Sequence, residues 1–334
     1  MKILVTGSEG FVGSHFVEEL LNNNYKVKAF VYYNSFNSIG WLKDIKKKNK
    51  NLEIYFGDIR DYNSVLNSLK NIDIIYNLAA LISIPYSYRS PQSYIDVNTY
   101  GTLNLLNAAK EKKIKNFFQI STSEVYGTAK YIPIDEQHQL NAQSPYSASK
   151  IAADQLAYSY MCSFNIPVTI LRPFNIFGPR QSLRAIIPTI INQVIHNNEK
   201  INLGNISSSR DFNYVKDTVQ SMVSIANVET KKIIGKTFNI GSGYELSINN
   251  VLKRILSIAN KNLKVVKEDK KLRPSKSEVD RLVCDNKNIK KVINYKNNFS
   301  GKNNIDKGLK LTFEWYKNNI TKNEFITNFK NNYE

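Results

Sequence analysis

Residues 2–13 read KILVTGSEGFVG. The first five are β-favouring and mostly apolar. From Val12 to Asn22 the apolar residues Val12, Phe16, Val17, Leu20 and Leu21 form one helical stripe. Between this strand and helix lies Thr6-Gly7-Ser8-Glu9-Gly10-Phe11-Val12-Gly13, a T-G-x-x-G-x-x-G turn. Glycines in such a turn allow a sharp reversal, close approach of backbone to a pyrophosphate, and tight helix–strand packing. The N–H groups of the helix N-terminus face the phosphates. The pattern is informative because it sits between a strand and a helix. It predicts a dinucleotide site lined by Gly7, Gly10, Phe11, Val12 and Gly13.

The alternation continues outward. KVKAFVY, LEIYFG, DIIYNLAA, FFQIST and VTILRP read as further short strands, with helices over Asn98–Lys110 and Ser147–Phe164. Strands alternating with helices predict an α/β fold, a Rossmann-type doubly wound parallel sheet. Gly178-Pro179-Arg180 interrupts the pattern. Beyond it the sequence predicts a helix near 185–197, a short strand at Ile201–Leu203, RDFNYVKD leading into another helix, and KTFNIGSG as one more core strand. From about 247 it predicts two amphipathic helices, a mobile linker around LRPSKSEVD, and a last helix with Leu309, Phe313, Trp315 and Tyr316. A chain of 334 residues exceeds what one core usually organises. The expected division is a dinucleotide-binding domain of residues 1–177 plus about 210–242, and a smaller C-terminal α/β substrate-binding lobe of about 178–209 plus 243–334.

Composition narrows the class. Hydrophobic residues make up 42% and aromatics 11% of the chain, enough for packed cores. The sequence begins with strand-like KILVTG, without a basic and apolar leader, and no run is long enough to span a bilayer; a cytoplasmic location is expected. Cys162 and Cys284 lie far apart and the three histidines have no ligand spacing, so neither a disulfide framework nor a metal site is expected. The formal charge of +18 raises nucleic acid or membrane as partners. The lysines, however, are scattered among asparagines, and the one dense run, Lys46-Lys47-Lys48-Asn49-Lys50, reads as a loop. Such dispersed charge makes a solvated face that helps capture a phosphorylated small molecule, with neither nucleic acid nor membrane as partner.

An acidic residue after the second strand usually holds the adenosine ribose of a dinucleotide. Here the chain has Val31-Tyr32-Tyr33-Asn34, with neither that carboxylate nor the arginine that a 2′-phosphate favours. NAD is the better fit, with Tyr32 beside it. Asp58 and Ile59 suit the adenine edge, and Leu78, Ala79 and Ala80 the cofactor's middle; Asp58 could equally cap the turn that follows it.

Pro145-Tyr146-Ser147-Ala148-Ser149-Lys150 sets Tyr146 and Lys150 on one face of a helix. A lysine ammonium and a cofactor's positive charge would lower the phenol's pKa, making Tyr146 a base near neutral pH. Thr122, at the end of the preceding strand, is within range of the same substrate hydroxyl.

TGSEGFVG, GDIRD, NLAA, STSEVYG, YSASK, RPFNIFGPRQ, RDFNYVKD and NIGSG occur in that order over nearly the whole chain. In this the sequence resembles the extended short-chain dehydrogenase/reductase family of nucleotide-sugar enzymes. The resemblance implies oxidation of a sugar at C4 with tightly bound NAD, and Thr122, Tyr146 and Lys150 as the oxidation triad. It also implies a substrate-binding set: Ser83, Asn98 supporting the active-site helix, Asn175 reaching the substrate phosphate, and Arg180, Arg210 and Arg273 neutralising a nucleotide diphosphate. Helices 98–110 and 147–164 would pair two subunits into a homodimer or larger homo-oligomer.

The subclass turns on Ser121-Thr122-Ser123-Glu124. The 4,6-dehydratases similar to this chain usually carry Asp-Glu after the threonine; here Ser123 fills the first position and Glu124 keeps the second. Nucleotide-glucuronate decarboxylases often have this Thr-Ser-Glu order, and 4-epimerases typically lack the glutamate. Residues 31–42, 79–106 and 272–286 resemble the N-acetylglucosamine nucleotide 4,6-dehydratases of the legionaminic acid pathway. That implies a 4,6-dehydratase acting on a nucleotide-linked N-acetylglucosamine, GDP favoured over UDP, with Glu124 as the C5 base and Ser123 positioning it. A decarboxylase, a 4-epimerase, and a non-catalytic cofactor-sensing or nucleic-acid-binding protein on the same fold are the alternatives.

Overall fold

In the computed structural model, which describes residues 1–197, 199–268 and 273–320, the opening strand β1 (Lys2–Thr6) ends in a turn at Gly7 with φ +61°. Only glycine adopts that backbone without strain. A Cβ on Gly7 would stand 2.9 Å from Ala79 Cα, and one on Gly13 only 2.1 Å from the Gly7 carbonyl oxygen. Both glycines therefore permit contacts that no other residue allows. The helix that follows, α1 (Phe11–Asn22), buries Phe16, Val17, Leu20 and Leu21.

β2 (Lys26–Tyr32), β3 (Leu52–Gly57), β4 (Ile74–Asn77), β5 (Asn116–Ile120) and β6 (Val168–Pro173) join β1 and the late strand Thr237–Ile240 in one sheet. Its order is Thr237–Ile240, β6, β5, β4, β1, β2, β3, and every neighbouring pair is parallel. The order reverses between β1 and β4, which opens a crevice at the carboxyl ends of these strands. One face of the sheet is packed against α1 and Val215–Ala226, the other against Gly101–Lys112 and Pro145–Phe164. The seven core strands read from the sequence are all in this sheet, which is the expected doubly wound one. Asn77, buried at the end of β4, ties the crevice together: it accepts from Thr6 Oγ1 at 2.8 Å and donates to Thr102 and Gln119.

A second core gathers Phe177, Ile187, Ile190, Leu203, Leu252 and Leu309, from segments on either side of the last sheet strand. We propose on this basis the lobe division stated above. Its final residues, 321–334, lie outside the described residues.

Two expectations for the tail are corrected. One long helix, Ile248–Ala259, precedes the linker, followed by a strand at Lys264–Lys267 instead of a second amphipathic helix. That strand pairs with Lys200–Leu203, whose edge needs a partner. The linker, whose Leu272 lies outside the described residues, is packed through Ser277 and Val279 instead of standing free. Val279 is 1% exposed and joins Val125, Tyr126 and Leu282 in a core, and Ser277 Oγ bonds the Gln143 carbonyl and the Tyr88 hydroxyl. Its apolar Val279 and Leu282 draw it against the turn that carries Glu124. The helix expected over Asn98–Lys110 begins earlier, with a widened turn at Ile95–Tyr100 before Gly101–Lys112.

Candidate active site

The dinucleotide side is built by the glycine turn. A Cβ on Gly10 would meet only the Gly7 carbonyl oxygen, at 3.4 Å, so this face of the turn is open where Gly7 and Gly13 are closed. That is the arrangement a pyrophosphate needs. Phe11 and Val12 begin α1 half-buried, and Ala79 N donates to Thr6 Oγ1 at 3.0 Å, which fixes Leu78–Ala80 beside the turn. Asp58 caps the next turn, accepting from Arg60 N at 2.9 Å, and Arg60 Nε lies 3.0 Å from both its oxygens. The guanidinium holds the Asp58 carboxyl below its usual range. Ile59 turns its side chain into the core, where it fills the space over Gly101. Tyr32 is half-exposed at the tip of β2.

Tyr146 begins the helix Pro145–Phe164, which starts sharply because Ser144 and Ser147 form a reciprocal cap and Pro145 sits in the first turn. Thr122 ends the segment after β5 and caps the turn Ser123–Tyr126 by accepting the Glu124 amide at 3.2 Å. Its hydroxyl also faces the Tyr146 phenol. Lys150 is buried and donates to the Ile120 carbonyl at 2.7 Å. The expected lowering of the phenol's pKa is not what the protein alone produces. Burial pushes the Tyr146 phenol well up, the Thr122 hydrogen bond only partly opposes this, and the Glu124, Tyr94 and Asp154 charges raise it further. Lys150 stands one helical turn further on, on the same face of the helix. Burial holds its own pKa down at about 8.

Beneath this pair lies a network the sequence reading missed. Asp154 is fully buried; its Oδ2 accepts from Ser121 Oγ at 2.8 Å and from Arg172 Nε at 3.1 Å. Arg172 continues to the Tyr126 hydroxyl, which donates to Asn239. The signal was present: Asp154 follows Lys150 by one helical turn, so it shares that helix's inward face. Truncating one member of a buried ion pair strands the other charge. Asp154→Ala is therefore expected to destabilise the protein by about 3–5 kcal/mol, measured by denaturant unfolding.

Ser83 has φ 83°, a left-handed conformation costly for a non-glycine residue by roughly 1–3 kcal/mol. It persists because the buried Tyr94 hydroxyl donates to the Ser83 carbonyl at 2.7 Å, while the Tyr94 ring packs edge-on against Tyr146 at 6.1 Å. Asn98, counted above with the substrate-binding residues, is 1% exposed. Its amide is used by the protein: Oδ1 accepts from Leu81 N at 2.8 Å, and Nδ2 donates to Leu81 O and Ser149 Oγ. It therefore braces the Ser83 loop against the Tyr146 helix.

Arg210 and Arg273 share Glu278, each at 3.9 Å. Arg210 is buried, donates to the Ser209 carbonyl at 3.0 Å, and senses the Glu124 carboxylate. Arg273 Nη1 and Asn175 Oδ1 are buried without hydrogen-bond partners. An unanswered guanidinium donor here suits a phosphate oxygen. Arg180 is not in this group. At φ 70° the chain after Gly178-Pro179 folds back, and its guanidinium pairs with Glu18 at 2.9 Å and Ser14 Oγ at 3.3 Å on α1. Its charge is answered there, so the diphosphate assignment for Arg180 is withdrawn.

A glycine turn on this parallel sheet, with threonine, tyrosine and lysine gathered at its carboxyl edge, defines the class of extended short-chain dehydrogenase/reductases. The chain belongs to the GDP-mannose 4,6 dehydratase family, whose model matches residues 4–307, within the NAD-dependent nucleotide-sugar 4,6-dehydratases and epimerases. Similar curated proteins include dTDP-D-glucose 4,6-dehydratase of Dictyostelium discoideum, 34% identical over 77% of this chain and 62% of that relative's length. The low-salt glycan biosynthesis protein Agl12 of Haloferax volcanii is 35% identical over 77% of this chain and 82% of its own. Among solved structures, UDP-glucuronic acid 4-epimerase from Bacillus cereus, in complex with UDP-glucuronic acid and NAD, aligns with TM-score 0.86 and 28% identity over 95% of this chain and 99% of that one. The dTDP-glucose 4,6-dehydratase DesIV from Streptomyces venezuelae, solved with NAD, aligns with TM-score 0.86 and 26% identity over 98% of this chain and all of that one. Among the described residues no helix is long and apolar enough to cross a membrane, and no group of three or more His, Cys, Asp or Glu could hold a metal.

Proposed function

We propose that this chain is a 4,6-dehydratase of a nucleotide-linked N-acetylglucosamine, GDP favoured over UDP, forming the 4-keto-6-deoxy sugar nucleotide. The observation that carries the reading is Glu124, two residues past Thr122 and close enough to Tyr146 for its charge to act on the phenol. A 4-epimerase needs no such carboxylate. The sugar and base rest on the resemblance of residues 31–42, 79–106 and 272–286.

Bound beside the glycine turn, NAD would supply the hydride-transfer chemistry, removing hydride at C4 and returning it at C6. Tyr146 accepts the C4 hydroxyl proton, with Thr122 holding that hydroxyl and the Lys150 ammonium favouring the phenolate. A ketone at C4 acidifies C5–H, and Glu124 removes that proton. The same carboxyl then gives it to the C6 hydroxyl, which leaves as water, with Ser123 positioning Glu124. C5 regains a proton that exchanges with solvent. Arg210 and Arg273 bind the diphosphate, and Asn175 and Ser83 complete the substrate contacts. Exposed Tyr100, Tyr158 and Phe164 on the two helices named above support their pairing between subunits.

The test is incubation with GDP- and UDP-N-acetylglucosamine in deuterated water. The expected product has lost one water, carries deuterium at C5, and forms faster from the GDP sugar. A product of unchanged mass marks a 4-epimerase instead; UDP-glucuronate losing carbon dioxide marks a decarboxylase.

A further inference from the structure

β2 ends without the carboxylate that usually takes ribose hydroxyls, yet the fold delivers one to that position from another element. Glu9 lies in the glycine turn, and its Oε1 accepts the Tyr32 amide at 2.9 Å, so the carboxylate sits against the last residue of β2. Its Oε2 is buried with no hydrogen-bond partner. The loop above keeps it covered: Trp41 N donates to the Glu9 carbonyl at 3.3 Å, and a Cβ on Gly40 would come within 3.2 Å of Glu9 Cβ. Burial raises the carboxyl's pKa, and no cation among the described residues opposes this. The cation close to Tyr32 is Arg60, whose Nη2 is 3.5 Å from the Tyr32 hydroxyl. That charge is already answered by Asp58. At the tip of β2 the negative group is thus unpaired and the positive one is paired.

A half-satisfied carboxylate seeks donors, and a ribose diol has two. A 2′-phosphate brings only further negative charge. We propose that Glu9 reads the adenosine ribose, accepting the hydroxyls of NAD and excluding a 2′-phosphorylated dinucleotide. The assignment does not depend on which sugar reaction the enzyme performs.

The experiment titrates the full-length protein and its Glu9→Gln variant with NAD+ and with NADP+, followed by tryptophan fluorescence, since Trp41 borders the site. Wild-type protein is expected to prefer NAD+. The variant should bind NAD+ about 10- to 100-fold more weakly, the range for a hydrogen bond to a charged acceptor, while holding or improving its affinity for NADP+. Equal weakening for both dinucleotides would mean that Glu9 only braces the turn and overturns the proposal, as does unchanged affinity for both. A wild-type protein that binds NADP+ as tightly as NAD+ overturns it without any variant.

Discussion

Glu124→Gln is expected to stop the reaction after C4 oxidation. The amide keeps the shape of the side chain and leaves the Thr122 cap intact, because that cap uses the Glu124 backbone amide. What it loses is the base. General-base removal costs roughly 10²- to 10⁴-fold in rate, so water loss should fall by that factor while the absorbance of reduced cofactor builds up in a single turnover. In deuterated water C5 should take up no label. Dehydration by this variant at near wild-type rate would rule out Glu124 as the C5 base and leave the chain without an evident one.

Tyr146→Phe should act one step earlier. Removing the phenol hydroxyl leaves no acceptor for the C4 hydroxyl proton, so kcat is expected to drop about 10²- to 10⁴-fold with little change in KM. No reduced cofactor should accumulate, which separates this variant from Glu124→Gln. The pH profile gives a second readout. Lys150 has its pKa held at about 8 by burial, so its ammonium is present below that pH and lost above it. The loss removes the positive charge that favours the phenolate. Wild-type activity should therefore decline as pH rises through about 8, and an undiminished rate at pH 10 would count against Lys150 as the phenol's partner.

The sheet was legible because its strands are short apolar runs separated by helical periods, a pattern set by burial on both faces. The glycine turn was legible for a related reason: backbone proximity admits no side chain at Gly7 or Gly13. Tyr146 and Lys150 could be placed together because helix geometry fixes their relation. What escaped depended on side chains meeting across long sequence separations. Arg180 looked like its neighbours Arg210 and Arg273 in composition, and only the fold directs it onto Glu18. Glu9 was read as a filler in the glycine motif because the reading sought a carboxylate along β2, whereas the turn brings one in from β1. The linker at 273–280 looked mobile by its proline, serines and charges, and Val279 alone was too weak a sign of burial.

Trp41 stands in the loop that covers Glu9, and we find its ring edge-on to Trp315 of the final helix, Ile305–Ile320, with centroids 5.6 Å apart. Trp315 in turn meets Tyr316, whose hydroxyl bonds the Gln181 carbonyl. The final helix thus packs against the loop that covers Glu9. Anyone trimming this enzyme to a minimal nucleotide-binding unit would have to keep a residue about 300 positions downstream of the glycine turn, since Trp315 lies 302 positions past Gly13. A cut placed where the seven-stranded sheet ends, after Ile240, would preserve all of its strands yet remove Trp315 from behind the loop that covers Glu9.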